Sequence, residues 1–174
     1  MILTHWCEDE FQFDPNWKYK PQTNGDLDTG YPNDKPSGLW LSNENAYGWR
    51  KWCKDADFRE YKDSEGHDFD VDMSKILVIN TSSPSIAGTI EAILRKDKRM
   101  GVCWGVDEYR LPRTDWALVA ERWSGVYVDE GAYELFYNFP LGLRTPAWLN
   151  YWDCASACVW KLDCIKQIDK REAA

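Results

Sequence analysis

The order of apolar and polar positions along the chain predicts short strands mixed with short amphipathic helices. Residues 1–6, MILTHW, read as a first strand, and residues 38–42, GLWLS, as a second. Behind the second strand, Ala46, Trp49, Cys53 and Ala56 recur at the 3-4-3 spacing that places side chains on one face of a helix. Ser42 suits the N-cap of that helix, and Glu44 its first turn, where the helix dipole favours an acid. Residues 71–80 are the clearest strand, rich in β-branched side chains. Ser83 and Pro84 make a helix start, with Ile86, Ile90, Ile93 and Leu94 as its buried stripe. Thr114 would cap a shorter helix over residues 115–123, which Gly125 would end. Residues 125–129, 133–139 and 155–161 predict the remaining strands. Residues 13–36, with four prolines and two glycines, and the polar residues 62–70 read as loops. About six strands and three helices without regular βαβ alternation predict the α+β class.

Composition adds bounds. A chain of 174 residues with 44 % hydrophobic content is one domain, residues 1–174, with a sizeable core. Against 29 acidic residues stand 21 basic ones, and the net charge of -8 disfavours indiscriminate binding to phosphate backbones. The N-terminus lacks a basic n-region followed by an apolar h-region, and the longest aliphatic run, residues 76–79, is far too short to span a bilayer. These features predict a cytoplasmic protein with no membrane partner, whose six cysteines are mostly thiols. Cys154, Cys158 and Cys164 follow each other at x3 and x5 spacing without a CxxC pair, and only His5 and His67 offer imidazole, so no metal site is expected. Buried thiols acting as small hydrophobes account for them better. No mononucleotide P-loop, GxGxxG turn, zinc-protease helix or GxSxG elbow occurs.

The remaining signal is aromatic. Eleven tryptophans are present, and three of them fall in KPSGLWLSNENAYGWRKWC, residues 35–53. His5 on the first strand together with Gly38-Leu39-Trp40-Leu41-Ser42 resembles the opening of the ADP-ribosyltransferase superfamily. Its poly-ADP-ribosyltransferase branch pairs a histidine with a strand of the type G-[IL]-[YW]-[FL]-[AS] that runs into a helix. ERWSGVYV, residues 121–128, is similar to the helix-then-strand preceding the catalytic acid in small bacterial and phage members. WDCASACVW, residues 152–160, resembles the strand of the last catalytic motif. These patches cover about a third of the chain.

The resemblance implies a split, mostly antiparallel β core with flanking helices and NAD, as substrate, in the cleft. His5 would reach the adenosine ribose and Trp40 would stack on nicotinamide, since an aromatic face attracts a flat cation by about 0.5 to 2 kcal/mol. Ser42 and Tyr47 would complete the pocket. The family's usual glutamate is missing: Ser156 stands at its most natural position. Asp153 is then the first candidate acid and Glu130 the second, with Asp129 and Glu134 behind them. Asp153 qualifies only from the loop leading into the strand, because strand alternation would otherwise turn it away from Ser156. The implied activity is NAD-dependent mono-ADP-ribosyl transfer, a glycosyltransferase reaction, to a protein or nucleic-acid acceptor. The implied setting is a defence-system toxin, with an inhibitor or antitoxin partner, or a phage protein in the host cytoplasm. Residues 13–36 and 61–72 would be acceptor-recognition loops.

Each of these residues also has a structural explanation. His5 suits a half-buried strand position, Trp40 a core, Ser42 a cap, Asp153 a turn and Ser156 a small strand residue. Two rival functions follow. One is a catalytically inactive binding module on the same scaffold. The other is a Trp-rich nucleic-acid or carbohydrate-binding domain, using Trp49 and Trp52 with Arg50 and Lys51 as a stacking platform. An acid facing the same cleft as His5 and Trp40 discriminates in favour of the transferase.

Overall fold

A computed structural model describes residues 1–7, 10–20, 35–80, 116–132, 134 and 152–168. Among the described residues seven strands run along the chain: β1 (Ile2–Trp6), β2 (Leu39–Ser42), β3 (Gly66–Val71), β4 (Ile76–Ile79), β5 (Gly125–Val128), β6 (Ser156–Val159) and β7 (Ile165–Gln167). They form one mixed sheet in the order β4-β5-β6-β2-β1-β3-β7, with β4 and β5 parallel and every other neighbouring pair antiparallel. The helices α1 (Trp49–Asp55) and α2 (Trp116–Ala120) are short. The α+β class holds, weighted towards strand. Among the described residues no helix is long and apolar enough to cross a membrane.

The sheet is uneven in its joints. β2 meets β6 over four residue pairs and β1 meets β3 over five, but β1 meets β2 only at Thr4 and Ser42. Four strands, β4-β5-β6-β2, thus lie on one side of that joint and three, β1-β3-β7, on the other.

Strand alternation divides the side chains into two cores. On one face Leu77, Ile79, Val126, Val128 and Cys158 pack under Trp116 and Val119 of α2. On the other, Leu3, Leu41, Phe69, Val71 and Val159 pack together with Phe11 and Phe13 from the segment after β1. All four residues of β5 and all four of β6 are buried, as expected of interior strands covered on both faces.

Several sequence expectations change. Residues 66–70, read as part of a polar loop, belong to β3: His67, Phe69 and Val71 point inward while Asp68 and Asp70 alternate outward. The polar half of that alternation hid the strand. Residues 71–80 are not one strand, because Asp72 accepts from the backbone N–H of Ser74 and its hydroxyl, nucleating a 3-10 turn at Met73–Lys75 between β3 and β4. α1 starts at Trp49 with Gly48 as N-cap, so Ser42 caps nothing. The Asn43 carboxamide oxygen accepts from the N–H of Asn45 and the Asn43 carbonyl from that of Ala46, and these turns replace the helix's expected first turn. α2 is shorter than residues 115–123, and Gly125 opens β5. Residues 130–132 and Glu134 are helical where a strand over residues 133–139 was expected to begin. The helix expected from Ser83 and Pro84, the Thr114 cap and the rest of the 133–139 strand lie outside the described residues.

Candidate functional site

A cavity of about 340 Å³ lies beside the joint of β1 and β2. Thr4, His5 and Trp6 border it from one strand, and Trp40, Leu41 and Ser42 from the other. Lys35 and Pro36, Trp49 of α1, and Asp153, Cys154 and Ser156 complete the wall. Its volume falls in the lower part of the range typical of small-molecule sites.

Parity along β1 gives His5 the face of Leu3, opposite to that of Trp40 and Ser42. Its ring packs on Phe11 with centroids 4.6 Å apart, and Phe11 in turn meets His67 at 5.0 Å. Nδ1 lies 2.9 Å from the Trp40 carbonyl oxygen. A carbonyl only accepts, so Nδ1 carries the proton. Burial lowers the His5 pKa, opposed by that hydrogen bond, and the ring is neutral near pH 7. His5 therefore ties β1 to the backbone of β2 and borders the cavity.

Trp40 is half-buried, with its ring 4.8 Å from that of Trp152. The Lys35 ammonium stands 5.6 Å over the Trp40 ring and 2.9 Å from Oδ2 of Asp153. Asp153 lies on the loop before β6, the one placement that lets it face the cleft. The cavity's best-placed acid is consequently held by a cation that also occupies the aromatic ring.

Ser42 donates its hydroxyl to Oε1 of Glu44, which also accepts from Trp6 Nε1 at 2.9 Å. This carboxylate links Trp6 of β1 to Ser42 of β2. Ser156 pairs with Ser42 between β6 and β2, and its hydroxyl donates to the Cys154 carbonyl at 3.1 Å. Ser156 is a buried wall residue with no acidic chemistry. Cys154 is pushed up to about 12, mainly by burial, so the thiol nearest the acid stays protonated.

Two expected residues are elsewhere. Tyr47 does not line the cavity: its phenol donates to Asp55 at 3.2 Å, its ring carries the Lys51 ammonium at 5.0 Å, and its carbonyl accepts from the N–H of Ala155 at 2.8 Å. It braces the entry to β6 against α1. Glu130 follows the C-terminal end of β5 in a helical turn and does not line the cavity either.

Comparison with family models, with curated proteins and with solved structures finds no match to this chain. The site must be read from its own chemistry.

That chemistry is a flat aromatic face, the hydroxyls of Thr4 and Ser42, and one lining carboxylate, Asp153, with Glu44 bound to Ser42 and Trp6 outside the lining. Among the described residues no group of three or more His, Cys, Asp or Glu side chains could hold a metal ion. Cys154, Cys158 and Cys164 are buried free thiols. Lys35 and Glu44 were missed as site residues in the sequence. Glu44 was read only as a first-turn acid, and its position just past GLWLS was the available clue. Lys35 had no clue beyond preceding that motif, since Asp153 lies 118 residues away. The Trp49 and Trp52 rings are stacked, 4.8 Å apart at 12°, with Trp49 turned to the cavity wall.

Proposed function

We propose that the cavity between β1 and β2 binds NAD and that the protein is a mono-ADP-ribosyltransferase acting on a macromolecular acceptor. The observation that carries this reading is that an acid, Asp153, lines the same cavity as Trp40, Ser42 and His5.

In this reading nicotinamide stacks on Trp40 and the ribose hydroxyls meet Ser42 and Asp153. The bond between the ribose anomeric carbon and the nicotinamide nitrogen breaks, and its electron pair leaves with neutral nicotinamide. Positive charge develops on the ribose, where a fixed carboxylate stabilises it more than it stabilises the ground state. A lone pair of the acceptor then forms the new bond to the anomeric carbon, and the acceptor's proton passes to water. His5 acts by bracing the Trp40 backbone rather than by acid–base chemistry. The setting, a toxin of a defence system with its antitoxin or a phage effector, comes from the family resemblance.

A second reading is favoured by one contact. Lys35 neutralises Asp153, which suits a scaffold that binds a nucleotide without cleaving it. Nicotinamide release from NAD by the purified protein separates the two, with Trp40→Ala and Asp153→Ala in parallel. The transferase reading expects release in the parent, lost in Trp40→Ala and reduced at least roughly a hundredfold in Asp153→Ala, the scale of losing one transition-state electrostatic contact. Binding without release selects the binding module, and neither binding nor release removes NAD from consideration.

A further inference from the structure

Lys35 makes two contacts inside the cavity, and a planar organic cation would make the same two. Its ammonium lies over the Trp40 ring at 5.6 Å and pairs with Asp153 at 2.9 Å. Neither partner is fully in water, with side-chain exposures of 27 % for Lys35 and 36 % for Asp153. We propose that the Trp40 face and the Asp153 carboxylate form a subsite for a flat organic cation, and that Lys35 is its built-in competitor.

Charge governs which ligand can take the place of Lys35. A half-buried carboxylate needs a counterion, and Lys35 supplies one when the cavity is empty. Lysine carries a point charge on a flexible four-carbon stem, so it can swing into solvent when another cation arrives. A pyridinium ring keeps both contacts alive and frees Lys35 to be hydrated or to meet a phosphate. A neutral ring of the same shape gains nothing from Asp153 and stacks on Trp40 without drawing the ammonium off the carboxylate. Asp153 thus supplies the selection for positive charge on an aromatic surface that would accept any flat ring, and Lys35 weakens it by competing for the same carboxylate. For the NAD reading, on which the identity of the natural ligand rests, the consequence is selection of the oxidised over the reduced cofactor by the charge on its ring.

Calorimetric titration with 1-methylnicotinamide, a flat cation, and nicotinamide, its neutral counterpart, tests this in the parent, Lys35→Met and Asp153→Asn proteins. Lys35→Met is expected to bind 1-methylnicotinamide roughly three- to tenfold more tightly than the parent, because the competing cation–π contact and ion pair are both gone. Nicotinamide affinity in Lys35→Met should rise by less than about twofold, the selectivity being one of charge. Asp153→Asn should lose the preference for the cation. Lys35→Gln repeats the first arm with a polar side chain, so that collapse of Met onto Trp40 is not mistaken for the effect. Equal gains for both probes would make Lys35 a steric plug and overturn the proposal, as would unchanged or weaker cation binding in both Lys35 variants. No heat with either probe in any variant overturns it too. NAD turnover is read separately: charge selectivity without nicotinamide release leaves the subsite standing and the transferase reading fallen, and release without charge selectivity does the reverse.

Discussion

The His5 ring lies on the face of the sheet opposite to the Trp40 ring, packed against Phe11 and with Nδ1 on the Trp40 carbonyl. Burial lowers its pKa, so the folded state prefers the neutral ring and the unfolded chain takes up a proton first as pH falls. The stability contributed by the neutral form is therefore fully present above the unfolded value near 6.5 and declines as pH drops from there through the lower folded value. Denaturant titrations at pH 7.5 and pH 5 should show the parent losing more stability on acidification than His5→Gln; an equal loss in both would mean that the ring is solvated. The sequence made His5 legible as a strand histidine beside GLWLS. Which side of the sheet its ring takes was hidden, because each face of β1 carries a buried and a half-buried side chain.

At the scale of the elements, β2 is held closest where it has no side chain to spare. A Cβ at Gly38 would lie 2.6 Å from the Val159 carbonyl oxygen and 2.7 Å from Cys158 Sγ. The oxygen belongs to the backbone of the neighbouring strand, so β2 would have to move away from β6. Gly38→Ala should cost roughly 1 to 3 kcal/mol, the usual penalty of overpacking, read as a lowered denaturation midpoint at unchanged slope. A midpoint within about 0.5 kcal/mol of the parent would show that the two strands are less tightly apposed than described. The G of GLWLS was legible as part of a motif, and this contact is its physical reason. β3 was not legible, because Asp68 and Asp70 on its outer side diluted the apolar signal. The split of residues 71–80 was not legible either, since Asp72 and Ser74 act through a local turn that an apolar count ignores.

For the whole molecule, the order of the strands sets where the sheet is strong and where it yields. β5 and β6 each have a neighbour on both sides and are wholly buried, whereas β7 ends the sheet with Lys166 exposed. Backbone amides that open only with the core exchange slowest. Hydrogen exchange of the intact protein should therefore find β5 and β6 protected at least roughly tenfold more than β7, since protection tracks the free energy of opening. Similar rates in all three strands would argue that the sheet opens as one unit. The cavity lies beside the Thr4–Ser42 joint, where the four strands from β4 to β2 meet the three from β1 to β7.

The sequence by itself determined the class, the position of most strands and the interest of residues 38–42, because periodicity and glycine placement act over a few residues. It also marked Asp153 as the acid to watch, provided that it preceded the strand. What brought that acid to Trp40, gave it Lys35 as counterion and turned the His5 ring to the far face was decided only by tertiary structure. Those relations span 35 to 118 residues and depend on which strands lie side by side, a matter of sheet order and register that no local pattern encodes.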